Sequence, residues 1–158
     1  MVAAMGQLNG RRIVVTGSTR GLGRAFAEAL AADGARVVVN GTNGELVDEV
    51  VSGITTAGGT AVACPGSVAD DAVAERLIAT AVEQFGGIDA VVNNAGIVRD
   101  RTLLKMTPEE FDEVIAVNLR GTWSVSRHAA RVMRDQGSGL LLQVISGSAF
   151  VGSVGQTN

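Results

Sequence analysis

Short apolar runs alternate with longer stretches of helical periodicity along this chain. Arg12 to Thr16 reads as a first strand, with Ile13-Val14-Val15 at its centre. Leu22, Ala25, Phe26, Ala29 and Leu30 follow at i, i+3, i+4, i+7 and i+8, the spacing of one helix face, and Gly34 ends that helix. Val37-Val38-Val39 is the second strand. Leu46, Val50, Ile54 and Ala57 stripe a second helix, stopped by Gly58-Gly59. Thr60 to Ala63 is a short third strand. Val73, Leu77, Ala81 and Phe85 stripe a third helix that ends at Gly86-Gly87, and Ile88 to Val92 is the fourth strand. Thr107-Pro108-Glu109-Glu110 combines an N-cap threonine, a proline at the first helical position and a capping-box glutamate, and it opens a long helix to about Gln136. Leu140 to Ile145 is the fifth strand, and the residues beyond it read as loop.

Near-continuous apolar strands are those of a parallel sheet covered on both faces. Their alternation with helices predicts one α/β domain over residues 1–158, a doubly wound parallel sheet. Composition agrees. Hydrophobic residues make up 46% of the chain and charged residues 18%, enough apolar surface for a packed core. The 21 glycines gather at strand ends, which suits tight turns rather than low complexity. The net charge of −3 comes without any basic run, so no nucleic-acid partner is expected. Cys64 is the only cysteine, which excludes an internal disulfide and predicts a reducing, cytoplasmic setting. No apolar run approaches the about 18 residues of a membrane span, and Met1-Val2-Ala3-Ala4-Met5-Gly6 lacks the charged and apolar regions of a signal peptide. No metal site is expected.

The chemistry concentrates at strand ends. Gly17-Ser18-Thr19-Arg20-Gly21-Leu22-Gly23 follows a strand and opens a helix, the context in which small residues let backbone approach a pyrophosphate and free N–H groups face the phosphates. After the second strand stand Asn40-Gly41-Thr42, with no carboxylate for a ribose 2′-OH. Arg20 is placed to pair with a 2′-phosphate and Thr42 to donate a hydroxyl, so the expected cofactor is NADP(H), with NAD(H) as the alternative. Asn93-Asn94-Ala95-Gly96 ends the fourth strand. Asn118 is polar within an apolar helical stretch, either a buried amide that needs partners or an exposed helical residue. Ser146 and Ser148 follow the fifth strand. His128, the only histidine, sits mid-helix and reads as packing or solvent-facing rather than catalytic.

The glycine loop, Asn93-Asn94-Ala95-Gly96, Val-Asn118-Leu-Arg-Gly and Val-Ile-Ser146-Gly-Ser-Ala resemble, in identity, order and approximate spacing, the motifs of the short-chain dehydrogenase/reductase family. The resemblance covers essentially the whole chain. It implies a Rossmann sheet of order 3-2-1-4-5 and the interconversion of a ketone and a secondary alcohol. By resemblance Ser67-Val68, where the family often has Asp-Val, contact adenine. Asn93 tethers neighbouring strands, while Asn94, Ala95 and Gly96 belong to the cofactor site. The Asn118 carbonyl holds a relay water, and Ser146 orients the carbonyl, with Ser148 as substitute. Gly96-Ile97-Val98-Arg99-Asp100 and Leu103-Leu104-Lys105-Met106 resemble 3-oxoacyl-acyl-carrier-protein reductases and the hydroxyacyl-CoA dehydrogenase domain of multifunctional β-oxidation enzymes. A 3-oxoacyl or 3-hydroxyacyl thioester on either carrier is therefore the expected substrate.

The family's catalytic Tyr and Lys come next in order. This chain has no tyrosine, and its one lysine, Lys105, lies in a loop. The 158 residues are therefore expected to be the leading part of a longer reductase, inactive alone and prone to aggregate along the fifth strand. The family resemblance implies a homo-oligomer for the full-length protein. The competing reading is a non-catalytic module that binds a nucleotide or pairs with a partner's sheet edge.

Overall fold

The computed structural model describes residues 6–158. The start, Met1 to Met5, which bears on the signal-peptide expectation, lies outside the described residues. Five strands are present: β1 (Arg12–Val15), β2 (Arg36–Val39), β3 (Thr60–Ala63), β4 (Ala90–Asn93) and β5 (Leu140–Gln143). All pair in parallel, in the order β3-β2-β1-β4-β5. Helices α1 (Gly21–Ala32), α2 (Gly44–Thr56) and α3 (Asp71–Phe85) connect the first four strands. Between β4 and β5 runs one long helical rod: α4 (Pro108–Val114), a π-helical segment (Ile115–Gly121) and α5 (Thr122–Gln136). A short helix, α6 (Ser148–Val151), follows β5, where the sequence reads as loop.

Strand alternation sorts the core into two layers. Val14, Val38 and Val91 point to the face covered by α3 and α5, where they meet Leu77, Ile78, Val125 and Ala129. Ile13, Val15, Val37, Val39 and Val92 point to the other face, against Ala27, Ala31, Val47, Val50 and Ile54 of α1 and α2. The predicted stripe of α3 is the buried one, with Ala74 and Ile78 added to it.

The predicted stripe of α1 is displaced. Gly23, Ala27 and Ala31 are its buried residues, while Leu22, Ala25 and Ala29 are exposed. The helix presents its smallest residues to the sheet, which brings its axis close, and Phe26 and Leu30 flank the contact. In α2 Val47 takes the place expected for Leu46, and Ala57 caps the end, exposed.

The strand β5 is a second departure. Sheet pairing with β4 runs Ala90↔Leu140 to Asn93↔Gln143, yet every β5 residue is exposed, so helices do not cover both its faces. The capping box before α4 is formed as predicted: Glu110 N–H donates to Thr107 Oγ1 and Thr107 N–H to the Glu110 carboxylate, both at 3.2 Å.

Three polar groups tie α3 to α5. His128 is buried, with Nε2 3.1 Å from Asp71 Oδ1, and Ser124 Oγ donates to the same oxygen. These partners, Ser124 first, hold the Asp71 carboxyl below its ordinary range. At the opposite edge of the sheet Arg12 grips Asp89 through Nε at 2.8 Å and Nη2 at 2.9 Å, which likewise lowers the Asp89 carboxyl.

Candidate cofactor site

A cleft of about 490 Å³ opens at the carboxyl edge of the sheet, walled by the loops that leave β1, β2, β3 and β4. Brief parallel strands with short exits place these loops side by side, at the edge where open α/β sheets bind ligands. The floor is backbone. Gly17 has φ +61, which favours glycine, and a Cβ there would lie 2.8 Å from Ala95 Cα. A Cβ on Gly23 would strike the Gly17 carbonyl and the Asn94 amide, so the start of α1 closes directly onto the glycine loop.

Side-chain hydrogen bonds fix the loop. Thr16, 1% exposed, accepts from Asn94 N–H and Ala95 N–H through Oγ1, both at 3.0 Å. Asn94 Nδ2 donates to the carbonyls of Thr16 and Gly17 at 3.0 Å each. Asn40, also buried, uses its whole amide: Oδ1 accepts from Gly17 N–H at 3.2 Å, and Nδ2 donates to the Cys64 and Gly66 carbonyls at 3.0 Å each. Ser18 Oγ donates to the Val15 carbonyl at 2.8 Å and accepts from Asn40 N–H at 2.9 Å.

The start of α1 differs from its neighbours. Asn43, Asp70 and Thr107 cap α2, α3 and α4 with side chains. No side chain caps α1, and its first turn holds no acid. Its N–H groups and the positive end of its dipole are therefore left without a side-chain partner at the cleft, an arrangement suited to an anion. A glycine floor that a Cβ would fill and an uncapped helix above it fit a diphosphate. Gly17, Thr19 and Arg20 to Gly23 would hold it.

The structure brings most of the expected cofactor residues to this one cleft. Gly17, Thr19 to Gly23, Asn40, Gly41, Thr42, Ser67, Val68, Asn94, Ala95 and Gly96 line it. Ser18 does not; it is fully buried behind the loop and supports the turn. Asn40 lines the wall, but its amide serves the three loops it joins. The Ser67 hydroxyl accepts from Ala69 N–H at 3.3 Å. Asn43, Leu46, Gly66, Ile97 and Val117 also line the cleft, and sequence reasoning missed them as site residues. The signal for Leu46 was its place in an apolar stripe, read as core. Thr16, the pin of the whole arrangement, was read only as a strand end.

Two expectations about amides change. The tether to the neighbouring strand is made by Asn94. Asn93 instead donates to Ser126 of α5 at 3.0 Å, and its Oδ1, buried, has no partner among the described residues. Asn118 is exposed rather than buried, yet both ends of its amide are engaged: Ile97 N–H donates to Oδ1, and Nδ2 donates to the Ile97 carbonyl, each at 2.9 Å. It lies in the π-helical segment, a form that recurs at functional sites, and it pins the loop after β4. Ser146 and Ser148 lie just past β5 on the same sheet edge, outside the cleft lining, and among the described residues their hydroxyls bond only within the pair: they are 3.3 Å apart and Ser148 N–H donates to Ser146 Oγ at 3.2 Å.

The parallel sheet order and the helices on its two faces define a doubly wound Rossmann-type domain. The chain belongs to the short chain dehydrogenase family, whose model matches residues 11–158. It is 47% identical over 155 residues to an uncharacterized oxidoreductase of Mycobacterium bovis, covering 96% of this chain and 61% of that protein. It is 46% identical over 164 residues to the hydroxyacyl-CoA dehydrogenase ChsB1 of Mycobacterium tuberculosis, covering 96% and 51%. A crystal structure of a short chain dehydrogenase from Mycobacterium avium superposes with TM-score 0.91 at 47% identity, over 96% of this chain and 57% of that one. The chain thus spans between about half and three-fifths of the length of these relatives. The matching family is one of dehydrogenases, and both relatives carry the name oxidoreductase or dehydrogenase.

Proposed function

We propose that these residues form the NADP(H)-binding part of a reductase that interconverts a 3-oxoacyl and a 3-hydroxyacyl thioester. The observation that carries the cofactor choice is charge: Arg20 is the only charged residue among those lining the cleft. It is exposed and makes no ion pair among the described residues. A 2′-phosphate meets a free guanidinium and no carboxylate. The thioester rests on the resemblance of the Arg99-Asp100-Arg101 region, supported by a relative named hydroxyacyl-CoA dehydrogenase; either acyl carrier fits this reading. Ser146 and Asn118 are the proposed carbonyl-orienting and relay residues, with Ser148 as substitute. The proton donor is not among these 158 residues, which contain no tyrosine, so they bind cofactor without turnover. Cys64, buried and unpaired, supports a cytoplasmic setting. Trp123 and Leu119, 56% and 63% exposed on the long helical rod, support a homo-oligomer.

The test is a fluorescence titration with NADPH and NADH, on the wild type and on Arg20→Glu. The substitution weakens NADPH binding by at least about tenfold and NADH binding by less than about threefold. Equal losses overturn the NADP(H) assignment. Turnover of a 3-oxoacyl thioester by the purified 158-residue chain, above a no-enzyme control, overturns the claim of binding without catalysis.

A further inference from the structure

The cleft wall between the glycine loop and the end of β2 contains a glycine whose reason is not conformational. Gly41 is absent from the glycines with positive φ, so its backbone accepts any L-residue. Space is what a side chain lacks. A Cβ on Gly41 would lie 2.5 Å from Thr19 Cγ2, 3.0 Å from Thr19 Oγ1 and 3.3 Å from Thr19 Cβ. Both branches of the threonine face it, and a β-branched side chain is stiff about χ1. Gly41 has little room to retreat: it is buried, and its carbonyl accepts from Gly66 N–H at 2.8 Å. Thr19 is half-buried, lines the cleft, and its hydroxyl bonds to nothing among the described residues. The pair stands at the end of the second strand, where a carboxylate would select a ribose 2′-OH.

We propose that Thr19 determines cofactor choice by occupancy. It fills the space beside Gly41 and keeps an acidic side chain from standing there. This rests on the NADP(H) reading and gives Thr19 a role separate from the charge of Arg20. A switch toward NADH through position 41 therefore needs two substitutions, with the threonine removed to make room for the carboxylate.

Two measurements test it. The first needs no cofactor: thermal melting of Gly41→Ala, Thr19→Ala and the double variant. Gly41→Ala lowers Tm by roughly 3–8 °C in the wild-type background, and the double variant melts within about 2 °C of Thr19→Ala alone. An equal loss in both backgrounds overturns the proposal, whatever the cofactor. The second is the NADPH and NADH titration of Gly41→Asp with and without Thr19→Ala. The double variant gains about tenfold in NADH affinity over wild type, and Gly41→Asp alone gains less than about threefold. Equal gains overturn the proposal. Coupled melting in a wild type that prefers NADH overturns the NADP(H) reading, and with it the selective role of Thr19, while the packing of the two residues stands.

Discussion

The loop after β1 and the loop after β5 leave the same edge of one sheet, and they are built differently. The first is over-determined. Asn40 and Asn94 bond to the Thr16 and Gly17 backbone from two neighbouring loops, Ser18 bonds back to the Val15 carbonyl, and Thr16 Oγ1 ties the loop to the N–H groups of Asn94 and Ala95. The second is not: the Ser146 and Ser148 hydroxyls bond only within this serine pair among the described residues, beside a strand whose Leu140 is 59% exposed. A fixed backbone loop suits a ligand recognised by N–H groups and shape, because such donors must stay in place without the ligand. The chain specifies its binding geometry from its own hydrogen bonds, whereas the geometry of its expected carbonyl-orienting serine is not fixed in that way.

The largest effect comes from breaking the first loop. Asn40→Ala strands Gly17 N–H and the Cys64 and Gly66 carbonyls at a buried position. Each buried group left unpaired costs about 1–3 kcal/mol, so the variant loses roughly 3 kcal/mol or more in urea unfolding. NADPH and NADH binding fall together, unlike the selective loss expected for Arg20→Glu. A loss below about 1 kcal/mol shows the loop to be held by something other than this amide.

The same contrast explains which features could be read from the chain. The stripe Val73, Leu77, Ala81 and Phe85 stood out because its apolar residues recur every four positions. The face of α1 did not, because alanines recur on both sides and the sheet takes the smallest residues rather than the largest. Asn93 and Asn94 are chemically identical neighbours. Asn93 is the last residue of β4 and reaches Ser126, while Asn94 turns back to the glycine loop; a one-residue step exchanges faces. The gathering of the glycine loop and strand-end residues around one cleft was legible because glycine spacing reports backbone requirements. Strand order was not a matter of periodicity and came only with the family resemblance. For Asn118 the spacing left a buried amide and an exposed residue both open, and the structure combines them: the residue is exposed, in a π-helical segment, yet both ends of its amide are partnered by Ile97.

A smaller effect separates the sheet's anchoring from its cleft. The carboxyls of Asp89 and Asp71 are held below their ordinary value of 3.8, Asp89 by Arg12 and Asp71 by Ser124 and His128. Depressed carboxyl pKa values contribute stability that is complete above the unfolded value and is lost as pH falls through the folded one. Urea midpoints therefore hold steady from neutral pH down to about pH 4 and fall below it. Asp89→Asn lowers the midpoint at neutral pH and flattens the acid limb. An unchanged acid limb assigns the acid sensitivity to other carboxyls. The cleft contains no carboxyl among its lining residues, so NADPH affinity measured above the unfolding range carries no signature of either aspartate.

The smallest effect tests the second loop. Ser146 and Ser148 are not buried, and neither hydroxyl bonds to β4, to the glycine loop or to the π-helical segment among the described residues. Removing an exposed hydroxyl that supports only a local turn changes stability by no more than about 0.5 kcal/mol. Ser146→Ala therefore leaves both the urea midpoint and NADPH affinity of this chain unchanged within error, and Ser148→Ala does the same. In a full-length relative of this family the expectation for the same serine is the opposite in kind, a loss of turnover without a loss of cofactor binding, because a carbonyl-orienting hydroxyl acts on substrate alone. A clear fall in NADPH affinity on Ser146→Ala would join the two loops into a single site, and the difference drawn between them would not survive it.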